Sequence, residues 1–165
     1  GGQSGAENGT LSIMVGGNKQ AFIKSEELLK SYGKKIKFMG NSGSGQLTKI
    51  INQICIAGLI QGLSEAIYFM KQTDLTPEDV LEVISSGAAQ SWQMENRFST
   101  MVNNEFDFGF AVDLMRKDLS IAFNQAQEYG IDLEVTKIVD DFYSEIQTMG
   151  GNKFDTSSLV KRLIP

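Results

Sequence analysis

Gly40-Asn41-Ser42-Gly43-Ser44-Gly45-Gln46-Leu47-Thr48-Lys49-Ile50-Ile51-Asn52-Gln53 divides the chain in two. It is a glycine-rich loop that runs into a long apolar helix, with a single lysine one turn inside. The residues before it read as the end of an α/β unit, and those after it read as helices. A strand-like run, Lys35 to Met39, leads into the loop and invites comparison with a dinucleotide-binding fingerprint. That fingerprint needs a third glycine for close helix-to-strand packing, and Thr48 stands in its place. Nor does an acidic residue end a second strand about 20 residues later, because the helical pattern continues through Tyr68. The loop is better read as something other than a dinucleotide fingerprint.

Upstream, residues 1 to 9 are rich in Gly, Ser and Asn and read as loop. Leu11 to Val15 is a short apolar run closed by Gly16-Gly17, which predicts a strand. Residues 18 to 32 place Ala21, Phe22, Leu28 and Leu29 among lysines and glutamates, which predicts an amphipathic helix stopped near Gly33. Lys35 to Met39 is the second strand. Two strands and one helix cannot bury themselves as an independent sheet. They read as the last β-α-β edge of a larger α/β sheet.

Downstream, the pattern predicts a helix from about Gln46 to Gln72, about 40 Å long at 1.5 Å per residue. Its first half is apolar on nearly every side, which predicts burial all round, between two domains or two subunits. Thr76-Pro77-Glu78-Asp79 is a helix start, with Thr76 able to cap and acids in the first turn. That helix ends at Gly87, and Ala88 to Asn104, including Trp92, reads as loop or short helices. Further helices are predicted over Phe110–Tyr129 and Leu133–Met149. In the second of these, Val135, Ile138, Val139, Phe142 and Ile146 form one stripe. A short terminal helix, Thr156 to Leu163, has Thr156 or Ser157 as its cap.

Composition narrows the function. At 165 residues, 41% hydrophobic and 21% charged, the chain is an ordinary globular sequence with enough length for a core. A net charge of −5 speaks against a general binder of nucleic acid or anionic membrane. The longest apolar run, Ile54 to Ile60, is too short to cross a bilayer, and no secretory leader is visible. The one cysteine, Cys55, sits in an apolar run and is expected to be a buried small hydrophobe. No disulfide can form within the chain, so a reducing, cytoplasmic setting is expected. With no histidine, His-based triads and most catalytic zinc sites are excluded, and no metal site is assigned.

Lys49 is the sharpest chemical candidate. It lies among Leu47, Ile50, Ile51 and Ile54, and burial that disfavours an ammonium suits a group that gives up and takes back a proton. Asn52 and Gln53 follow at three and four residues, where they share its face and could orient the lysine or a substrate. The competing reading is a helix-start lysine that snorkels to water. Gly40, Gly43 and Gly45 permit close approach to an anion at the helix start, or simply make a tight turn. Phe110, Leu114 and Lys117 fall at i, i+4 and i+7. The Lys117-Asp118 pair alone reads as surface charge. Phe106, Phe108 and Phe110 alternate, and core packing is expected for at least two of them.

Taken together, these motifs give the chain a likeness. It resembles the C-terminal portion of the β-hydroxyacid dehydrogenase family, which includes 3-hydroxyisobutyrate dehydrogenase and tartronate semialdehyde reductase. The residues that carry the resemblance span nearly the whole chain. They are Gly1-Gly2 with Gly5-Ala6 and Gly9-Thr10-Leu11; Gly40-x-x-Gly43-x-Gly45-x-x-x-Lys49 with Asn52; Ala89-Gln90-Ser91-Trp92; and Phe110-x-x-x-Leu114-x-x-Lys117-Asp118-Leu119. The resemblance implies that Lys49 is the catalytic lysine, exchanging a proton with the substrate oxygen as hydride moves to or from NAD or NADP. It implies that Gly1 and Gly2 hold the substrate carboxylate, with Asn52 or Gln53 beside the substrate. Many relatives carry an asparagine four residues after the lysine, where this chain has Gln53. It further implies that Lys117, Phe110 and Asp118 line the cofactor side.

On the same footing, residues 1–42 would be the remnant of a Rossmann-type cofactor domain. Residues 43–165 would be an all-helical substrate and dimerisation domain built on one long helix, making the chain mainly α. The chain begins without Met, and a fragment of a longer protein is expected, inactive alone and homodimeric or homotetrameric when whole. Two other readings stay open. One is a non-catalytic helical dimerisation module of the same fold, which would have no need of Lys49, Lys117 and Asp118. The other is a 6-phosphogluconate dehydrogenase-like enzyme, against which the stretch after Lys49 lacks a His-Asn pair.

Overall fold

The computed structural model describes residues 2–164, apart from the side chain of Gln3. Its chain forms two compact units, residues 1–52 and 53–165. In order they contain α1 (Gly2–Glu7), β1 (Leu11–Gly16), α2 (Lys19–Lys30), β2 (Gly33–Gly40) and α3 (Ser44–Met70). Next come α4 (Pro77–Ile84), α5 (Trp92–Val102), α6 (Val112–Glu128), α7 (Glu134–Thr148) and a 3-10 helix, Thr156–Arg162. The chain is mainly helical, as its sequence pattern predicts. The division falls inside α3, because the first turns of that helix pack with the strands.

In the first unit β1 and β2 pair in parallel, with Ile13 opposite Ile36 and Val15 opposite Phe38. A parallel pair needs a crossover, and α2 supplies it. Asn18 caps α2 by accepting from the Ala21 N–H at 3.0 Å, and Phe22 meets Phe38 with ring centroids 5.4 Å apart. Residues 2–7 are helical, contrary to the loop expected from their glycine and serine content.

The second unit holds two apolar clusters on the buried side of α3. Ala57 and Ile60 pack with Val112, Met115, Leu119, Val139, Tyr143, Ile146 and Leu159. One turn on, Leu63, Ile67 and Met70 pack with Met94, Phe98, Met101, Phe106 and Val160. Burial holds the Tyr143 phenol well above its usual range, and the charge of Asp155 adds to the effect. The helix α3 has the length and apolarity of a membrane-crossing helix. One side of it packs into these two cores, where Gln53, Gln61 and Ser64 are buried along with the apolar side chains.

Burial of α3 is one-sided, not complete. Ile51, Leu59 and Phe69 are exposed, Phe69 by 72%, and Cys55 shares their side. The expected buried cysteine is thus a surface one, because the core stripe runs through 53, 57, 60, 63 and 67. On α7 the core stripe is Thr136, Val139, Tyr143 and Ile146, and Val135 and Ile138 face outward. Val139 and Ile146 of the predicted stripe are buried and Phe142 packs against the core, while Thr136 and Tyr143 fill the places expected of Val135 and Ile138.

Of the loop or short helices expected over 88–104, the structure forms the three-turn helix α5, capped by Ser91, whose side chain accepts from the Met94 N–H. Two local readings change. Thr76 occupies the cap position of α4 but makes no side-chain cap bond. The terminal helix is 3-10 and is capped by Asp155, not by Thr156 or Ser157.

Candidate active site

Lys49 and Asn52 belong to the first unit, and Gln53, Phe110, Lys117 and Asp118 to the second. In the first unit the decisive contact is backbone against backbone. A methyl group built on Gly45 would stand 2.4 Å from the Met14 carbonyl oxygen, and one on Gly16 would stand 2.6 Å from the Asn41 carbonyl oxygen. Such distances leave no room for a side chain, so the start of α3 is seated directly on the end of β1. The close approach expected of Gly45 is therefore to the protein's own strand, while Gly40 and Gly43, both at positive φ, turn the chain into α3.

Beside that contact lies a cleft of about 360 Å³, open to solvent and lined by Met14, Val15, Gly16, Gly45, Gln46 and Lys49. Lys49 is half-buried. Of the lining residues it alone is charged, so the cleft favours an anion or an oxygen that gains negative charge. Asn52 is exposed and is not among the lining residues. Gly2 is an exposed residue at the start of α1, also outside the lining, and Gly1 lies outside the described residues.

Gln53 takes a different course from its neighbour Asn52. Successive helical residues point about 100° apart, and Gln53 turns into the core, where it is 1% exposed. Its Nε2 donates to Asp118 Oδ2 at 2.9 Å and lies 3.8 Å from the Met115 sulfur. Asp118 is itself buried, and its Oδ1 pairs with Lys117 Nζ at 3.0 Å. A buried carboxylate needs such partners. The Lys117 side chain remains 62% exposed and presents its charge to solvent. Gln53 thus reaches Asp118 of α6, while Asn52 is exposed.

Phe110 precedes α6 and so shares no helical face with Leu114 and Lys117. Its ring packs against the first core cluster, Phe106 is buried in the second, and Phe108 is exposed. Its main-chain N–H donates to the buried carboxylate of Asp155 at 2.8 Å. Reading the sequence missed Asp155. The one local signal was an aspartate two residues ahead of Ser157, a helix-cap spacing. Among the described residues, no three His, Cys, Asp or Glu side chains come together as a metal site.

Comparisons with known proteins bear on the family. Residues 43–163 match the family model described as the NAD-binding domain of NADP-dependent 3-hydroxyisobutyrate dehydrogenase. Residues 1–40 match that of the NAD binding domain of 6-phosphogluconate dehydrogenase. An uncharacterized oxidoreductase of Shewanella frigidimarina is 53% identical over 99% of this chain and 56% of its own length. The 2-hydroxy-3-oxopropionate reductase of Escherichia coli is 35% identical over 99% of the chain and 56% of its own. A 3-hydroxyisobutyrate dehydrogenase of Mycobacterium tuberculosis, solved with L-serine, superposes with a TM-score of 0.89 at 25% identity. That superposition covers 100% of this chain and 59% of the other. The chain thus spans little more than half the length of the relatives it matches.

Proposed function

The chain belongs to the β-hydroxyacid dehydrogenase family, and on that premise we propose that it is the C-terminal part of an NAD(P)-dependent oxidoreductase acting on a small 3-hydroxy acid or its semialdehyde. The observation that carries the reading is the cleft beside the Gly16–Gly45 contact, with Lys49 as its one charged wall.

Lys49 is the general acid and base. Its Nζ gives a proton to the carbonyl oxygen as the semialdehyde is reduced, and takes the hydroxyl proton in the reverse direction. The substrate carboxylate is drawn by the same positive charge. The residues on the second unit suit a nicotinamide nucleotide. Lys117 is an exposed cation for an anionic group, and Phe110 offers an apolar ring on a fixed main chain. When bound, the nicotinamide supplies or accepts the hydride. Gln53 and Lys117 hold Asp118 in place between them. The same reading assigns the enzyme to the cytoplasm.

The test is nicotinamide absorbance in the full-length protein with short 3-hydroxy acids and semialdehydes. Turnover with NAD or NADP is expected there, and none from the 165-residue chain alone. No turnover with any member of the series would end the reading.

The exposed stripe of α3, with Leu59 and Phe69, further supports a homodimer or homotetramer. Light scattering of the full-length protein is expected to give at least twice the chain mass. A stable monomer would count against it.

A further inference from the structure

Phe106-Asp107-Phe108-Gly109-Phe110-Ala111 joins α5 to α6 outside any helix or strand. A segment of this kind takes its shape from whatever satisfies its polar groups. Here a buried carboxylate and the main chain beside it meet several of them. Asp155 is 1% exposed. Its Oδ1 accepts from Arg97 Nε at 3.0 Å, from the Ser157 N–H at 3.1 Å and from Ser157 Oγ at 2.7 Å. Its Oδ2 accepts from the Phe110 N–H at 2.8 Å. The main chain adds a clasp: Asp155 N–H donates to the Phe106 carbonyl and Thr156 N–H to the Phe110 carbonyl, both at 2.9 Å.

Two further observations show how closely the loop is fitted. Gly109 has a φ of +74°, and a methyl group there would lie 2.0 Å from Asp155 Oδ2. The Arg97 guanidinium sits 4.9 Å from the ring centroids of both Trp92 and Phe108. The loop thus lies directly over the carboxylate, and the arginine that neutralises it is itself fixed by two rings. Hydrogen bonds to an ionised acceptor are the strong ones.

We propose that Asp155 is a positioning residue for the reaction, setting where Phe110 stands by holding its main-chain N–H. The inference rests on the proposed function, in which Phe110 borders the nicotinamide. The two oxygens divide the work. Oδ1 caps the terminal helix and pairs with Arg97, which any structural aspartate could do. Oδ2 serves Phe110.

That division makes Asp155→Asn a selective probe. Three donors face Oδ1 and one faces Oδ2. The amide therefore keeps its oxygen toward Arg97 and Ser157 and turns its NH2 on the Phe110 N–H, donor against donor. Gly109→Ala is the second variant, whose methyl forces the loop and the Asp155 carboxylate apart while leaving the carboxylate's chemistry unchanged. Both are made in the full-length protein and titrated with NADH and NADPH by the rise in nicotinamide fluorescence, which needs no turnover.

The expected result is a nucleotide Kd, and the matching KM, raised about tenfold, with kcat changed less than about threefold. Variants that melt earlier but keep nucleotide Kd within about twofold would overturn the proposal and leave the oxidoreductase reading standing. A wild-type protein that binds neither nucleotide would overturn both. If Asp155→Asn does not fold, Gly109→Ala decides alone.

Discussion

Lys49→Ala in the full-length protein is expected to lower kcat about 1000-fold while nucleotide Kd stays within about threefold, the size of effect that a positioned general acid supplies. The lysine is the one charge on the cleft wall. Removing it takes away the proton carrier and leaves the chemical identity of Phe110, Lys117 and Asp118 unchanged. Lys49→Arg is not expected to rescue, because a guanidinium holds its proton too tightly to exchange it near neutrality. Steady-state turnover and nucleotide titration on the same preparations check this. A kcat within about tenfold of wild type would remove Lys49 from the chemistry.

Gly45→Ala is the second large effect. The added methyl would lie 2.4 Å from the Met14 carbonyl and 3.2 Å from the Gly16 nitrogen, and neither is a flexible side chain that can step aside. Relief requires the start of α3 to lift off β1. Overpacking of this kind costs about 3 kcal/mol, which in a chain of this size lowers Tm by about 10 °C. Turnover should fall too, since Lys49 is one turn further along the same helix. Calorimetry decides it: a Tm within about 2 °C of wild type would mean that the contact is looser than it looks.

Much of the fold could be read in the sequence because its signals are local. Leu11 to Val15 is an apolar run closed by glycines, Thr76-Pro77 starts a helix, and Gly130 and Gly150 follow helix ends. What escaped reading depends on partners far along the chain. Asp155 meets Arg97 and Phe110 across 58 and 45 residues, and no periodicity brings those positions together. Periodicity also could not say which side of α3 is covered, so Cys55 was placed inside and lies outside. For the site, the type and spacing of Lys49 were visible. The fate of Gln53 was not, because only the docking of α6 decides that its amide meets Asp118.

The parallel pair of strands has a bearing on how the chain behaves in solution. On β2, Lys34, Lys35 and Lys37 are all exposed, and lysines along a strand discourage another strand from docking. On β1 the run Leu11-Ser12-Ile13-Met14-Val15 carries no charge at all. The sheet therefore has one guarded flank, at β2, and one adhesive flank, at β1. A preparation of this chain by itself should be sticky along the β1 line. Additional strands from a longer polypeptide would quench it there.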